Sequence, residues 1–207
     1  MKLAVKHHFL LYPFFNCLMQ YQVKRNFYKI ELVGKVEDKQ KAVLVIANHT
    51  SWWDGFWINH LNQQLFKRKF TFLMREDQLQ KHWYFKYTGG IPINKGSRSV
   101  IESLQYCKQV LTQSKYLMLI FPQGKIHSMY HSTFTFEKGL EIILKQTNDD
   151  VQVIFTANLV DYFSQAKPSV YIYFEEYSYV NQTISEIEAA YQQFYLRASH
   201  QQQKLPK

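Results

Sequence analysis

The residues best suited to chemistry in this chain are His49 and Asp54, in the segment Asn48-His49-Thr50-Ser51-Trp52-Trp53-Asp54. An imidazole can take a proton from a hydroxyl, and a carboxylate bonded to the ring orients it for that step. Two residues five apart on one continuous helix lie about 140° apart around its axis. The pair can therefore meet only if His49 precedes a helix and Asp54 reaches back from its first or second turn.

The surrounding residues predict a strand, a turn and a helix in that order. Residues 43–47 are a continuous apolar run, as in strands buried on both faces. Residues 48–51 are types that cap helices, and residues 52–61 are aromatic and periodic. The alternative is a purely structural turn, in which His49 caps the helix and Asp54 complements its dipole.

Strands and helices alternate along the chain, without a repeat or a linker between them. This alternation predicts a single α/β domain with a mixed, mostly parallel central sheet flanked by helices. The predicted strands are residues 28–34, 43–47, 70–74, 91–95, 116–121, 151–157 and 170–174, and the predicted helices are residues 53–61, 76–87, 99–112, 137–146 and 185–200.

Composition narrows the class of partner. The 207 residues are 46% apolar and 17% aromatic, which suits a substantial core and argues against disorder. The formal net charge of +9 indicates an anionic partner: nucleic acid, anionic lipid or a phosphorylated substrate. Because the cations are scattered among aromatic residues without a recognition motif, nucleic acid is disfavoured. Two cysteines, Cys17 and Cys107, form neither a disulfide framework nor a zinc site and fit a reducing cytoplasm.

The N-terminal segment combines cations with apolar and aromatic residues and has no carboxylate before Glu31. This pattern predicts that residues 1–25 form an amphipathic helix on an anionic membrane surface, followed by a single domain at residues 26–207. The alternative is a helix packed on the protein's own core. The apolar run 9–19 is shorter than the roughly 20 residues that span a bilayer, and it lacks a signal-peptide cleavage site. A peripheral protein on the cytoplasmic face is expected.

Basic residues also gather where a predicted strand meets a helix. Lys95, Gly96, Ser97 and Arg98 precede helix 99–112, and cations with hydroxyls at a helix start predict a phosphate site. The alternative is a solvated basic turn. His127 and His131 share a loop without the Cys or acidic cluster of a metal site, so neither a metal nor a cofactor is expected.

Taken together, four ordered blocks make the chain resemble the glycerolipid acyltransferases, of the type that makes phosphatidic acid from lysophosphatidic acid. Their order and spacing are similar to the family's over about residues 30–160. The blocks are Asn48-His49 with Asp54, Gly89-Gly90-Ile91-Pro92-Ile93-Asn94-Lys95, Phe121-Pro122-Gln123-Gly124-Lys125 followed by Phe136-Glu137-Lys138-Gly139, and Val151-Gln152-Val153-Ile154.

Three positions depart from the family pattern. Gln123 replaces the usual glutamate, Lys95 the usual arginine, and Lys125 a small hydroxyl residue. Glutamine can orient a loop or bond a substrate hydroxyl but supplies no negative charge. Lysine still binds phosphate, without the bidentate fork of arginine. These changes bear on the identity of the acceptor more than on the chemistry.

The resemblance implies an O-acyltransferase that moves a fatty acyl chain from acyl-CoA or acyl-carrier protein to a lysophospholipid, most simply 1-acylglycerol-3-phosphate. His49 and Asp54 would be catalytic. The alternatives are another lipid acceptor, either a different lysophospholipid or a glycosylated lipid, and a non-catalytic lipid-binding protein of the same fold. The implied substrate-binding residues are Asn48, Lys95, Arg98, Phe121, Pro122, Gln123, Gly124 and Lys125.

Overall fold

A computed structural model describes residues 3–94, 99–144, 150–179 and 182–205. The strands are β1 (Lys29–Val33), β2 (Ala42–Ala47), β3 (Lys69–Arg75), β4 (Gly90–Ile93), β5 (Tyr116–Ile120), β6 (Val151–Asp161) and β7 (Ser169–Tyr177). The helices are α1 (Leu11–Asn26), α2 (Asp54–Leu65), α3 (Glu76–Lys81), a 3-10 helix (Trp83–Tyr87), α4 (Ser99–Leu111), α5 (Gly139–Leu144) and α6 (Ile184–Gln203).

One mixed sheet organises the molecule, with the strand order β1-β7-β6-β2-β5-β3-β4 in the described residues. Adjacent strands are parallel except β6 and β7. The strand β2 lies between β5 and β6, and all of its residues are buried, as its continuous apolar sequence predicts. The predicted single α/β domain with a mostly parallel sheet is confirmed.

Helices cover both faces of this sheet. Alternate residues of β2 enter two separate cores: Val43 and Val45 pack with α1 and α2, whereas Leu44 and Ile46 pack with α4, α5 and α6. This division follows from the period of two along a strand, which sends successive side chains to opposite faces. The strand that precedes His49 is therefore fixed from both sides.

The helix α1 is partly packed and partly exposed. Met19 and Val23 are buried, and Asn16 accepts a hydrogen bond from Asn59 of α2 (3.0 Å). In contrast, Leu10 just before the helix and Phe14 within it are 62% and 60% exposed. The helix thus covers one core and still offers apolar side chains to a partner. No helix among the described residues is long and apolar enough to cross a membrane.

The helix predicted at residues 76–87 is divided in two, and that prediction is wrong in this respect. α3 ends at Lys81, and a 3-10 helix follows from Trp83. Leu79 and Phe85 are six residues apart, which on a continuous helix would leave them about 120° apart. Because of the break, both are buried (2% and 7% exposed).

The hairpin of β6 and β7 is longer than its apolar runs predict. The antiparallel pairing extends from Val153 opposite Tyr177 to Asp161 opposite Ser169. Backbone pairing with a neighbour continues a strand past its last apolar residue, and the sequence pattern does not report that pairing. The extension carries Asn158 to the level of the residues after β2.

Candidate active site

The parallel strands gather candidate residues at one edge of the sheet. Val45, Leu119, Phe72 and Gly90 lie in one row across β2, β5, β3 and β4. His49 and Gln123 are each four residues beyond this row, and Arg75 is three beyond it. Because neighbouring strands are about 4.8 Å apart, these residues lie at the same carboxyl edge within a few strand widths.

His49 precedes α2 and Asp54 is the first residue of that helix, in the arrangement that helix geometry requires. The distance from His49 Nδ1 to Asp54 Oδ2 is 2.8 Å. An ionised carboxylate only accepts hydrogen bonds, so Nδ1 carries the proton and Nε2 keeps its lone pair. The Asp54 side chain is fully buried, whereas that of His49 is 22% exposed. The basic nitrogen is thus available to a substrate while its partner is shielded from water.

Asp54 also holds the loop that carries His49. Its Oδ2 accepts from the backbone N–H of Thr50 (2.6 Å) and of Ser51 (2.9 Å). Ser51 was expected to cap the helix; its hydroxyl accepts from the N–H of Trp53 (2.9 Å) instead, within the turn before α2. Bonds from N–H groups and the positive end of the helix stabilise a buried carboxylate.

Phe121 and Gln123 support His49 from the loop after β5. The rings of Phe121 and His49 stack at 3.9 Å with 7° between their planes. The His49 N–H donates to Gln123 Oε1 (2.8 Å), and Gln123 is buried. Since an N–H can bond only the oxygen of the amide, this contact fixes the orientation of Gln123 and leaves Nε2 with two donor hydrogens. A glutamate here could accept the same bond.

Pro122 and Gly124 shape that loop. The N–H of Gly124 donates to Phe121 O (3.0 Å), and the N–H of Glu137 donates to Pro122 O (2.8 Å). Gly124 has φ +68°, a left-handed conformation that glycine adopts without strain. The loop after β5 is therefore a defined turn beside His49.

Asn48 uses its side chain inside the fold. Its Nδ2 donates to Asn158 O (3.0 Å), and its Oδ1 accepts from the N–H of Asn158 (2.7 Å). Ala47 is the last residue of β2 in register with β6, opposite Thr156. The amide therefore continues the backbone pairing one step beyond the strand, and so it anchors the residue before His49. An asparagine can do this because it offers both a donor and an acceptor.

Tyr191 of α6 supports the site from below, and no sequence motif identifies it. Its hydroxyl donates to Thr156 O (2.8 Å), beside the end of β2, and the side chain is fully buried. Burial raises the pKa of Tyr191 well above its ordinary value, as do Tyr195 and Asp54, while the backbone N–H of Asn48 acts in the opposite direction. The hydroxyl thus lies under the residues that carry the His–Asp pair. An apolar helical pattern alone cannot distinguish such a tyrosine from an ordinary core residue.

Of the three cations predicted to bind substrate, the structure describes one. Lys95 and Arg98 lie outside the described residues, and Lys125 is exposed in the loop after β5. Arg75, which the sequence analysis missed, stands at the same edge and forms two 3.0 Å bonds to Asp77. Arg75 could have been identified from the sequence because it directly follows a predicted strand of the parallel sheet.

His127 and His131 stack on one another at 4.6 Å, near the catalytic candidates. The N–H of His127 donates to His49 O (2.9 Å). Partial burial lowers the pKa of His127, and the nearby His131, Lys125 and His49 lower it further. Within the described ranges, no group of three or more His, Cys, Asp or Glu side chains is arranged to hold a metal ion.

This fold and this site define an α/β protein that presents an oriented imidazole at the carboxyl edge of its sheet. A family model described as Acyltransferase matches residues 5–171. The chain belongs to the Acyltransferase family, which confirms the predicted class of enzyme.

A solved structure gives the same fold. The chain is similar to the crystal structure of the 1-acyl-sn-glycerophosphate (LPA) acyltransferase PlsC from Thermotoga maritima, with a TM-score of 0.65 and 14% identity. The match covers 94% of this chain and 80% of that one. At this identity the likeness concerns the fold, and it confirms the predicted architecture. Comparison with curated proteins returned no match.

Proposed function

We propose that this enzyme transfers a fatty acyl chain from a thioester to a hydroxyl of a lysophospholipid, with 1-acylglycerol-3-phosphate as the acceptor. The donor is acyl-CoA or acyl-carrier protein. The observation that carries the proposal is the 2.8 Å contact between His49 and the buried Asp54, in a chain of the Acyltransferase family. A tautomer with a free Nε2 suits the removal of a proton from an alcohol.

In the proposed reaction, His49 Nε2 takes the proton of the acceptor hydroxyl as its oxygen attacks the thioester carbonyl carbon. The new C–O bond gives a tetrahedral oxyanion, and Asp54 stabilises the imidazolium that forms. The C–S bond then breaks, and the imidazolium returns the proton to the thiolate. The products are the acylated lipid and the free thiol, and no protein nucleophile takes part.

Oxyanion stabilisation is assigned to Gln123. Three backbone N–H groups of the two loops are engaged elsewhere: those of Thr50 and Ser51 bond Asp54, and that of Gly124 bonds Phe121 O. With its oxygen held by the His49 N–H, Gln123 has donors left on Nε2. A donor next to the reacting carbonyl lowers the energy of the developing negative charge.

Recognition of the acceptor phosphate is assigned to four cations. Lys95, Arg98 and Lys125 are the ones that the family resemblance implies, and Arg75 stands at the carboxyl edge of the sheet in the structure. Several cations together with one hydroxyl-activating base favour an anionic acceptor over a neutral one. The substitution of lysine for arginine at position 95 also fits a head group other than a bare phosphate, so other lysophospholipids and glycosylated lipids belong in the test.

A membrane surface is the proposed source of the acceptor. The first thirty residues carry five lysines and arginines and no carboxylate, and α1 with the residue before it exposes Leu10 and Phe14. Cations next to exposed apolar residues favour the interface of an anionic bilayer, and this supports the proposal of a peripheral enzyme on the cytoplasmic face.

The test is an acceptor screen with radiolabelled acyl-CoA and, separately, acyl-carrier protein. Wild type should acylate 1-acylglycerol-3-phosphate in preference to neutral and glycosylated lipids. His49→Ala should lose about a thousandfold in kcat while keeping the fold, as judged by its circular dichroism spectrum. His200→Ala, at an exposed position of α6, is the control. Wild-type turnover by His49→Ala would contradict the mechanism. Preference for a phosphate-free acceptor would contradict the proposed recognition of the acceptor phosphate by the assigned cations.

A further inference from the structure

We propose that residues 125–131, here called the tip, insert into the interface of an anionic bilayer and form a membrane contact separate from α1. The tip follows the active-site turn at Gly124. Its side chains Ile126, Met129 and Tyr130 are 55%, 46% and 91% exposed. The inference rests on the proposed function only in taking a lipid surface as the source of the acceptor.

The exposure of the tip is not a sign of a loose loop, because its base is fixed. Phe134 and Phe136 are buried in the core at the end of the loop. Gln192 of α6 accepts from the N–H of Phe134 (3.1 Å) and donates to Ser132 O (2.6 Å). A loop with an anchored base and apolar side chains at its tip holds those side chains away from the core, and a partner must cover them.

The charges of the tip favour anionic lipid as that partner. The tip contains Lys125, His127 and His131, and no Asp or Glu occurs from residue 124 to residue 136. Aromatic and aliphatic side chains beside a lysine and two imidazoles, with no carboxylate among them, suit the boundary between head groups and acyl chains. One lysine among three apolar residues is less suited to an acidic protein, which would call for more fixed cations.

A chain of contacts links α1 to the tip through the loop of His49. Phe15 of α1 stacks on Tyr84 at 4.9 Å, Tyr84 contacts Phe85 at 4.7 Å, and Phe85 contacts Trp52 at 5.7 Å. Trp52 is 45% exposed and follows His49 by three residues. The loop at His49 in turn accepts a hydrogen bond from the N–H of His127 (2.9 Å). His49 therefore lies between two exposed apolar regions, and one bilayer surface can contact both.

Insertion is tested with a fluorophore on the tip of the full-length protein. An environment-sensitive label is attached to Tyr130→Cys in a Cys17→Ser background, since Cys17 is exposed and Cys107 is buried. Vesicles of phosphatidylglycerol and phosphatidylcholine should shift the emission to the blue. The same label at Leu196→Cys, on α6 and 50% exposed, should not shift. An unshifted tip label, with or without vesicle binding by the protein, overturns the inference, as does a shift produced only by acyl-carrier protein.

Binding supplies a second measurement. Replacing Ile126, Met129 and Tyr130 by serine should weaken vesicle affinity about tenfold, because apolar area no longer enters the interface. The control replaces Ile101 of α4 and Leu196 of α6 by serine, since these two side chains are exposed about as much as Ile126 and Met129. This control should change vesicle affinity less than about twofold. Equal effects of the two sets would overturn the inference. His49→Ala should bind vesicles like wild type, so a failed reaction and a failed insertion are separable.

Discussion

The loop of residues 48–54 and the tip lie side by side but are built in opposite ways. In the loop, the carboxylate of Asp54 is fully buried and accepts bonds from His49, Thr50 and Ser51. In the tip, Tyr130 is 91% exposed. The only backbone bond described here between the two joins His127 N–H to His49 O. Positioning a base requires paired, shielded polar groups, whereas meeting a bilayer requires unpaired apolar ones.

This contrast predicts that single-atom changes matter in the loop and that the tip responds mainly to changes in apolar area. A buried polar group left without its partner costs the full desolvation penalty of that group. Replacing an exposed apolar side chain leaves the stability of the fold nearly unchanged. The effect of the replacement appears only when the membrane is present.

Asp54→Asn should produce the largest loss. An asparagine would turn its NH2 group toward one of the three N–H groups that donate to Asp54, and it has no negative charge to stabilise an imidazolium. The kcat should therefore fall by about a thousandfold or more. The free energy of unfolding should fall by about 1–3 kcal/mol, as measured by urea denaturation. Asp150→Asn, at an exposed position, is the control. Retention of wild-type kcat would show that Asp54 only holds the loop and complements the helix dipole.

Substitutions at Gln123 separate the role of Oε1, which accepts from the His49 N–H, from the proposed role of Nε2 in stabilising the oxyanion. Gln123→Glu keeps an oxygen for the His49 N–H but removes the donors of Nε2, so kcat should fall about tenfold to a hundredfold. The melting temperature of this variant should stay near that of wild type, whereas Gln123→Ala should lower both kcat and the melting temperature. Wild-type kcat in the glutamate variant would remove Gln123 from oxyanion stabilisation and leave it as a support for His49.

Tyr191→Phe tests the support from α6 by removing one oxygen. Loss of the bond to Thr156 O should destabilise the protein by about 1 kcal/mol. Because the residues before His49 would shift, kcat should fall a few-fold, and the KM for the acceptor should not change. Tyr195→Phe, one turn later on the same helix, serves as the matched control. The role in positioning would be excluded if both variants altered kcat and the pH profile to the same extent.

His127→Gln should have the smallest effect, visible only with lipid. His127 is held neutral at neutral pH because partial burial, His131, Lys125 and His49 lower its pKa. On acidification below the ordinary imidazole range it gains a positive charge, so wild type should bind anionic vesicles a few-fold more tightly near pH 5 than near pH 7. The glutamine variant should show a smaller increase. An identical increase in both proteins would assign the pH dependence to other groups.

Several features of the site could be predicted because they are local in the chain. The apolar run before His49, the capping residue types and the five-residue spacing to Asp54 restrict the pair to one arrangement, and the structure has that arrangement at 2.8 Å. Strand and helix positions followed from periodicity. Two elements differ. The helix at residues 76–87 is divided, since burying both Leu79 and Phe85 required a break that periodicity does not report, and the β6–β7 hairpin extends past its apolar runs.

The family, the class of fold and the pairing of His49 with Asp54 thus follow from the amino-acid sequence. The contacts that hold this pair are visible only in the folded chain: the Gln123 oxygen at the His49 N–H, the amide of Asn48 on Asn158, and Tyr191 beneath the end of β2. These partners are between 35 and 110 residues apart. Contacts over such separations depend on the order of the strands in the sheet and on which face each helix covers. The hydrophobic periodicity of the sequence reports neither of these.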